Sequence, residues 1–383
     1  MPPHHNVPVS SNVRAQRGTN IFSHHFTMQI NRRKLLLASA MFPTLTSCAN
    51  DISKHRDRPV ATLARDLRVC AATHATLKSG KPGPSVSLAG CGDPRRVNEP
   101  DAIFQAASLT KPVIAFGALR LAVDGQLDLQ SPVSRYLPNG YTHYHSVLAR
   151  SPTDSNDIVP ASALSGLPVA ALLNHTSGLP NWASGKLSFD FQPGERWEYS
   201  GEGYVLLQAV IEAVTGLSLT AYFDRHIFGS LGMHDTSLIW KDEFSTRAQS
   251  GTSVWGTVRQ VRFLTPVAAA SLYTTASDYA RFMAALLTDH PLASLTISTP
   301  VQVNSELGLE WGYGWGIERA EGGPYIWQWG NNPGFRSFAM ASVSSKDGFV
   351  ILTNSERGMA LAVPLAFATF PVEHSAFRFS MVG

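Results

Sequence analysis

The alternation of apolar and polar residues predicts strands at both ends of the chain and helices between them. Period-two runs at 69–77 and 85–89 flank a Gly-Lys-Pro-Gly turn and predict a β-hairpin. Short strand-like runs recur at 313–318, 325–329, 335–342 and 349–354. A last apolar stretch, 360–370, favours a C-terminal helix. This order of elements predicts an α/β lobe built from both chain ends, with a mostly helical lobe inserted between them.

Three segments in the middle of the chain carry helical periodicity, at 108–123, 204–214 and 279–287. A glycine follows each of the first two closely, which is typical of a helix end. A Thr-Ala-Ser-Asp capping box precedes the third. Between the first two helices, residues 138–165 show little periodicity and predict a long surface loop, a kind of segment that is often functional.

The first 58 residues carry signals of export. Three basic residues precede an apolar stretch, 35–45, of signal-peptide length, and small residues lead to Cys48. This order is typical of a bacterial lipoprotein signal, so we expect an exported, periplasmic protein with lipidated Cys48 as a membrane attachment. The expected segments are an upstream extension at 1–27, a signal peptide at 28–48 and a tether at 49–58. The alternative is a genuine N-terminal extension with a short buried helix at 35–45.

The charge distribution excludes one class of partner. Residues 1–47 contain five basic residues and no acidic one, which leaves 26 basic and 28 acidic residues for the remainder. A body so close to neutrality lacks the basic face that a nucleic acid needs. We therefore expect a small-molecule substrate and no nucleic-acid partner.

Two cysteines remain once Cys48 is set aside. Cys70 and Cys91 lie nearly equidistant from the turn of the predicted hairpin, where they could face each other. An exported protein can keep such a disulfide. Two buried free thiols are the alternative.

Ser108 and Lys111 form the candidate catalytic pair. Three residues apart at a helix start, their side chains project from one face. Serine is a weak nucleophile until a base takes its proton, and burial lowers the pKa of a lysine enough to make it such a base. The Ser108 amide has no intrahelical acceptor in the first turn, so it is free to bind an oxyanion. Alone, S-x-x-K is a weak signal, because an ordinary capped helix with an exposed lysine also contains it.

The residues around this pair make the signal specific. Five blocks follow in order, FQAASLTKP at 104–112 with DGQLDL and PVSRYLP after it, LLNHTSGLP at 172–180, PGERWEYS at 193–200, WGYGWG at 311–316 and PGF at 333–335. Together they resemble the class C β-lactamase-like group of the serine β-lactamase and penicillin-binding-protein superfamily. Its relatives include D,D-peptidases, D-aminopeptidases and family VIII esterases.

The resemblance implies the fold and the reaction class. The fold is an antiparallel sheet flanked by helices, with the active site between an α/β lobe and a mostly helical lobe. The expected catalytic domain is 59–383, with the α/β lobe at about 59–118 and 300–383 and the helical lobe at about 119–299. The reaction is acyl transfer through acyl-Ser108 on an ester, an amide or a β-lactam, with no metal or cofactor.

Further roles come from the same resemblance. Tyr199 matches the tyrosine that relays protons among nucleophile, leaving group and water, and a nearby cation is expected to lower its pKa. Whether Lys111 or Tyr199 is the base stays open. The third motif falls on Gln328-Trp329-Gly330, so the backbone amide of Asn331 would join that of Ser108 in the oxyanion hole.

Two positions depart from the family pattern. Gln328 replaces a lysine or histidine that helps to hold a substrate carboxylate, and Gly201 replaces an asparagine that many members use to contact the lysine and the substrate amide. These losses favour ester or amide hydrolysis over β-lactamase action. The residues expected at the substrate are Gln328, Trp329, Gly330, Gly201 and Tyr313. For Trp329 and Tyr313, plain strand packing is an equal alternative.

Two other functional classes remain. One is a penicillin-recognising or ligand-binding protein without turnover, and the other is a D,D-carboxypeptidase acting on cell-wall peptides. Retention of Ser108, Lys111 and Tyr199 argues for an enzyme. The sequence contains no G-x-S-x-G, H-E-x-x-H or C-x-x-C motif, so neither an α/β-hydrolase nor a metal site is predicted. His175 is interpreted as a structural hydrogen-bonding residue.

Overall fold

A computed structural model describes residues 52–91, 99, 101–146 and 153–382. The predicted leader, the signal segment with Cys48 and the first residues of the predicted tether lie outside the described residues. Ile52, also in that predicted tether, is buried among apolar side chains, so the chain already packs on the domain there.

The described chain contains 14 strands and nine α-helices. The strands are β1 (Ala72–Lys78), β2 (Lys81–Leu88), β3 (Phe104–Ala107), β4 (Tyr141–Tyr144), β5 (Asn156–Val159), β6 (Gly251–Thr252), β7 (Val258–Arg259), β8 (Leu272–Thr274), β9 (Val301–Asn304), β10 (Leu309–Trp311), β11 (Gly316–Glu318), β12 (Tyr325–Asn332), β13 (Phe335–Ser342) and β14 (Gly348–Thr353). The α-helices are α1 (Val60–Asp66), α2 (Thr110–Val123), α3 (Val169–Leu173), α4 (Gly201–Thr215), α5 (Leu219–Phe223), α6 (Gly229–Leu231), α7 (Ala276–Thr288), α8 (His290–Ile297) and α9 (Ala362–Thr369).

An eight-stranded antiparallel sheet joins the two ends of the described chain. Its strand order is β2-β1-β14-β13-β12-β11-β10-β9, so the predicted N-terminal hairpin pairs with the last strand. The elements between α2 and α8 are mostly helical and include two small two-stranded sheets, β4–β5 and β6–β7, whereas a third pairs β8 with β3 ahead of α2. The predicted fold class, an antiparallel sheet flanked by helices, is confirmed. The lobe boundaries stay a prediction.

Helices cover both faces of the sheet. On β13, Phe338 and Met340 join the apolar cluster that contains α1 and α9 side chains, whereas Ala339 and Ala341 join the cluster with α2 and α7. Because both faces are buried, Phe338–Ala341 of β13 and Phe349–Leu352 of β14 are continuous apolar runs rather than alternating ones. Helix α7 lies against β1, β2 and β14.

The structure differs from the prediction in one loop and in three short elements. The loop expected at 138–165 contains the antiparallel hairpin β4–β5, in which alternate residues of β4 are buried. Strands β9 and β10 and helix α8 were not predicted, because they are short and their apolar residues show no clear period.

Among the described residues, no single helix is long and apolar enough to cross a membrane. The bent pair formed by α4 and Leu219–Leu231 passes that test only when the two helices are taken together.

Candidate active site

Ser108 lies in a tight turn that links β3 to α2. Ala107, the last residue of β3, has φ of +51°, which is uncommon for a residue other than glycine. The chain therefore turns sharply at Ser108, and α2 begins only at Thr110. The sequence predicted Ser108 inside the first helical turn, whereas in the structure Ser108 precedes the helix. The oxyanion role of its amide stays a prediction.

Hydrogen bonds from three different elements fix this turn. Each of three consecutive carbonyl oxygens accepts a side-chain donor. The bonds are Thr110 Oγ1 to Ala107 O at 2.5 Å, Gln328 Nε2 to Ser108 O at 3.2 Å and Tyr279 Oη to Leu109 O at 3.0 Å. Because α2, β12 and α7 each contribute one donor, the position of the serine is set by the tertiary structure and not by the turn alone.

Lys111 extends from the first turn of α2 back to the serine. Its Nζ lies 3.1 Å from Ser108 Oγ and donates to the carbonyl oxygen of Ala269 at 2.9 Å. The side chain is only 1% exposed. Burial disfavours the ammonium form and lowers the pKa of Lys111 to about 7. A substantial fraction of this lysine is therefore a neutral amine at neutral pH, with a lone pair available for the serine proton.

Tyr199 completes a hydrogen-bonded group around the nucleophile. Its buried hydroxyl is hydrogen-bonded to Ser108 and accepts from Gln328 Nε2 at 3.0 Å. The Lys111 Nζ lies 4.7 Å from the centre of the Tyr199 ring. Burial nevertheless raises the pKa of Tyr199 above its usual value, so the predicted lowering is wrong. Desolvation of the phenolate outweighs its hydrogen bonds, and Tyr199 stays a neutral phenol.

The segment after α3 holds the start of α4 in place. The backbone amide of Ser200 donates to His175 Nδ1 at 3.1 Å, and the Ser200 hydroxyl donates to Pro180 O at 3.0 Å. The same hydroxyl caps α4 by accepting from the Gly203 amide at 2.8 Å. Burial lowers the pKa of His175 far below its usual value. His175 therefore acts as a neutral acceptor that positions the residue next to Tyr199, as the sequence interpretation expected.

Comparison with known proteins identifies the family. The β-lactamase family model matches residues 72–370, which is most of the chain. The chain belongs to the β-lactamase family. It is 26% identical to a penicillin-binding protein of Bacillus subtilis over 68% of this chain and 63% of the relative. It is 31% identical to the esterase EstB of Burkholderia gladioli over 36% of this chain and 39% of the relative. The chain thus spans less than two thirds of the length of these curated relatives.

A solved structure supports the fold assignment. A β-lactamase/D-alanine carboxypeptidase from Pseudomonas syringae superimposes with a TM-score of 0.65 at 16% identity. The match covers 85% of this chain and 99% of that one. At this level of identity, the likeness concerns the fold and not the substrate.

In this β-lactamase-family chain, the predicted third motif lies on β12 directly beside the nucleophile turn. Gln328 is fully buried, and its amide nitrogen donates to Ser108 O, which can only accept. A Cβ at Gly330 would stand 2.4 Å from the Ala106 carbonyl oxygen, so only glycine lets β12 approach β3. Asn331 follows as an exposed residue of the same strand. The substrate contacts of these residues and the oxyanion role of the Asn331 amide stay predictions.

Gly201, the second departure from the family pattern, begins α4. A Cβ at this position would lie 2.5 Å from the Asn181 carbonyl oxygen and 2.9 Å from the edge of the Trp182 indole. Trp182 is 44% exposed although it is large and apolar. This protein therefore has the Trp182 indole against the start of α4, at the place where many relatives have an asparagine side chain.

Trp329 and Tyr313, predicted as pocket residues, are both largely buried in the family fold. The centre of the Trp329 ring lies 4.8 Å from that of Tyr199. Trp329 also borders a cleft of about 720 Å³ together with Asn331 and Arg336. Strand packing accounts for most of both side chains, and contact with a substrate stays a prediction.

The cysteine alternative is resolved in favour of a disulfide between Cys70 and Cys91.

Sequence reasoning missed three residues of the site, Ala269, Tyr279 and Trp182. Ala269 contributes only its carbonyl oxygen to Lys111, and a backbone group leaves no trace in the residue type. Tyr279 was assigned to the apolar face of α7, although its hydroxyl reaches the turn. Trp182 was the one with a visible signal, since it is an isolated aromatic residue in a polar loop.

Proposed function

We propose that this protein is a serine hydrolase that cleaves uncharged esters or amides through an acyl intermediate on Ser108. The observation that carries the proposal is the buried Lys111 amine, with its pKa lowered to about 7, at 3.1 Å from the Ser108 hydroxyl. A neutral amine at hydrogen-bond distance can accept the serine proton. This assigns the base role to Lys111, because burial raises the pKa of Tyr199.

Acylation follows from this geometry. Lys111 takes the proton of Ser108 while Oγ forms a bond to the substrate carbonyl carbon. The resulting oxyanion is bound by the amides of Ser108 and Asn331. When the bond to the leaving group breaks, the proton passes from Lys111 to the leaving oxygen or nitrogen. Tyr199 relays this proton as a neutral phenol that accepts on one side and donates on the other.

Deacylation reverses these roles with water in place of the leaving group. Lys111 accepts a proton from water, the hydroxyl oxygen attacks the acyl carbon, and Ser108 Oγ leaves with a proton. The net reaction consumes one water and releases an acid and an alcohol or amine. The catalytic groups return to their starting protonation states.

The charge of the site supports uncharged substrates. Gln328 occupies the position of the family cation and directs its amide nitrogen at Ser108 and Tyr199. Arg336 does not replace that cation, because it pairs with Asn331 and therefore lies on the opposite face of the β12–β13 hairpin from Gln328. The half-exposed Trp182 indole supports an apolar acyl or leaving group.

A matched pair of chromogenic esters tests the proposal. We expect a neutral p-nitrophenyl butyrate to be cleaved with a kcat/KM at least about 10-fold above that of the anionic p-nitrophenyl hemisuccinate. Ser108→Ala removes the activity, whereas Ser162→Ala, at an exposed serine, leaves it unchanged. Unchanged turnover in Ser108→Ala would overturn the mechanism, and a preference for the anionic ester would overturn the substrate class.

We also propose that the protein is exported and lipidated at Cys48. The Cys70–Cys91 disulfide supports this, since such bonds persist in oxidising compartments. Labelling of bacterial cells with a fatty-acid analogue should mark the wild-type chain and not Cys48→Ser. A wild-type chain without label, or a variant with it, would contradict the proposal.

A further inference from the structure

A second group of ligating side chains lies on the β4–β5 hairpin, outside the residues around Ser108. In β4, Tyr141 and His143 are buried while Thr142 is exposed, so alternate residues face the interior. His145 follows in the same phase, and an H-x-H pair on an extended chain projects from one face. Asp157 of β5 pairs directly with His143, so its side chain lies on that face too.

Three potential ligand atoms come together there. Asp157 Oδ1 lies 2.9 Å from His143 Nδ1 and 3.2 Å from His145 Nε2. All three atoms lie within 4.8 Å of one another. In a tetrahedral zinc site with ligand bonds of about 2.0–2.1 Å, ligand atoms are about 3.3 Å apart. The two measured distances are close to this spacing, and small side-chain adjustments would place the three atoms around one ion.

Burial gives a second, independent indication. The His143 side chain is 1% exposed, so its ring is held in the interior. Asp157 Oδ2 is buried without a hydrogen-bond partner within the described part of the chain. Unpaired buried polar atoms are rare and costly. A bound cation would satisfy the free oxygen of Asp157 directly.

We propose that His143 Nδ1, His145 Nε2 and the Asp157 carboxylate bind one divalent transition-metal ion of the zinc type. Two imidazoles with one carboxylate suit Zn²⁺, whereas Ca²⁺ and Mg²⁺ prefer all-oxygen sites. Glu202 Oε2 lies 3.5 Å from His143 Nε2, on the far side of the ring. This matches the carboxylate–histidine–metal arrangement, in which the outer carboxylate orients the ligand.

The position of Glu202 indicates what the ion does. Glu202 belongs to the first turn of α4, three residues after Tyr199, and its Oε1 accepts from the Ala183 amide at 2.9 Å. An ion on the hairpin therefore stabilises the contact between β4–β5 and the start of α4. The site is structural, and we expect hydrolysis to continue at an unchanged basal rate when His145 is replaced.

Zinc titration of the full-length, tag-free protein tests this inference after treatment with a chelator. The chain also carries His4, His5, His24 and His25, so the readout is the difference between two matched variants. His145→Ala removes a ligand that is 31% exposed and so leaves the fold intact. His290→Ala removes an exposed histidine on α8. Calorimetry should show one more zinc equivalent for wild type and His290→Ala than for His145→Ala.

Thermal unfolding and cobalt spectra supply independent readouts. Zn²⁺ should raise the Tm of wild type and His290→Ala and leave His145→Ala unchanged. Co²⁺ should give the visible bands of a four-coordinate site only in the first two. Asp157→Asn should behave like His145→Ala, and Glu202→Gln should weaken zinc binding about 10- to 100-fold. Equal zinc stoichiometry and equal Tm shifts in all variants would overturn the inference, as would a wild-type protein that binds no more zinc than His145→Ala and shows no Tm shift with Zn²⁺.

Discussion

The two sides of the candidate active site have changed to very different degrees. On one side, Ser108, Lys111 and Tyr199 keep the residue types and spacing of the β-lactamase family, and their side chains meet within hydrogen-bond distance of the nucleophile. On the other side, Gln328 and Gly201 replace the groups that many relatives use to contact the substrate. The contrast supports our proposal that this serine hydrolase keeps the acylation chemistry and recognises a different class of substrate.

The packing around each side explains why both arrangements are stable. The nucleophile turn is held by donors from α2, α7 and β12, so few substitutions there preserve the geometry. On the recognition side, the replaced groups are compensated within the protein itself. Gln328 hydrogen-bonds to Ser108 and Tyr199, and the Trp182 indole packs where a side chain at position 201 would project.

Lys111→Met should have the largest effect on the retained side. Loss of the base lowers kcat by about 10²- to 10⁴-fold, with little change in KM. The same change should raise the free energy of unfolding by about 2 kcal/mol at pH 7, because it removes about 4 kcal/mol of opposition to protonation of a buried lysine while leaving the Ala269 carbonyl oxygen without its donor. That gain is complete below pH 7 and disappears above the pKa of an unfolded lysine. Ester kinetics and urea unfolding measure the two effects, and a variant that retains kcat would exclude Lys111 as base.

The pH dependence of the wild type should report Lys111. Its pKa is lowered to about 7, so the neutral fraction, and with it kcat/KM, falls about tenfold per pH unit below that value. Because burial raises the pKa of Tyr199, we expect no further inflection on the mildly alkaline side. A pH–rate profile with a neutral ester checks this. A flat profile between about pH 5 and pH 8 would contradict it.

Gln328→Leu should have a moderate effect that identifies Gln328 as a positioning residue. The side chain is fully buried and donates to both Ser108 and Tyr199, so its loss misplaces the nucleophile. We expect kcat to fall about 10-fold while KM changes little, since each bond contributes about 1 kcal/mol. Gln328→Glu is the control of equal size that loses the donor. A change in KM alone would instead indicate direct contact with the substrate.

Gly201→Ala should have the smallest effect on catalysis and a clear effect on stability. The added methyl group meets the Asn181 carbonyl oxygen at 2.5 Å, which costs about 1–3 kcal/mol of unfolding free energy. Adding Trp182→Ala to Gly201→Ala should recover only that part of the lost unfolding free energy that comes from contact with the indole. Thermal unfolding of the two single variants and the double variant measures that coupling. Full recovery in the double variant would show that the backbone contact is unimportant.

The sequence predicted the fold class correctly because most of the strands and helices that build the sheet and its covering layers are visible as patterns of apolar residues. The hairpin β1–β2, the helices α2, α4 and α7 and the C-terminal strands all carry clear periodicity or end signals. The β4–β5 hairpin was missed, because its buried face carries Tyr141 and His143 rather than aliphatic residues. The histidines that form the proposed metal site therefore lay in a predicted loop, where no metal motif was visible.

The site was predictable only as far as it depends on side chains in motifs. Ser108, Lys111 and Tyr199 come together as the family blocks implied. The positive φ of Ala107 and the carbonyl oxygen of Ala269 depend on tertiary contacts that no residue type records. The direction of the Tyr199 pKa shift also required the structure, because burial and a nearby cation act in opposite directions.

An intact-mass time course tests the central claim, covalent catalysis by Ser108 on an uncharged acyl group. The full chain is mixed with p-nitrophenyl butyrate and, separately, with a penicillin, and Ser108→Ala is treated in parallel. We predict a transient acyl adduct from the neutral ester in the wild type, little adduct from the anionic penicillin, and none in the variant. An adduct that persists in Ser108→Ala, or the absence of any adduct while the ester is hydrolysed without a burst, would contradict the account.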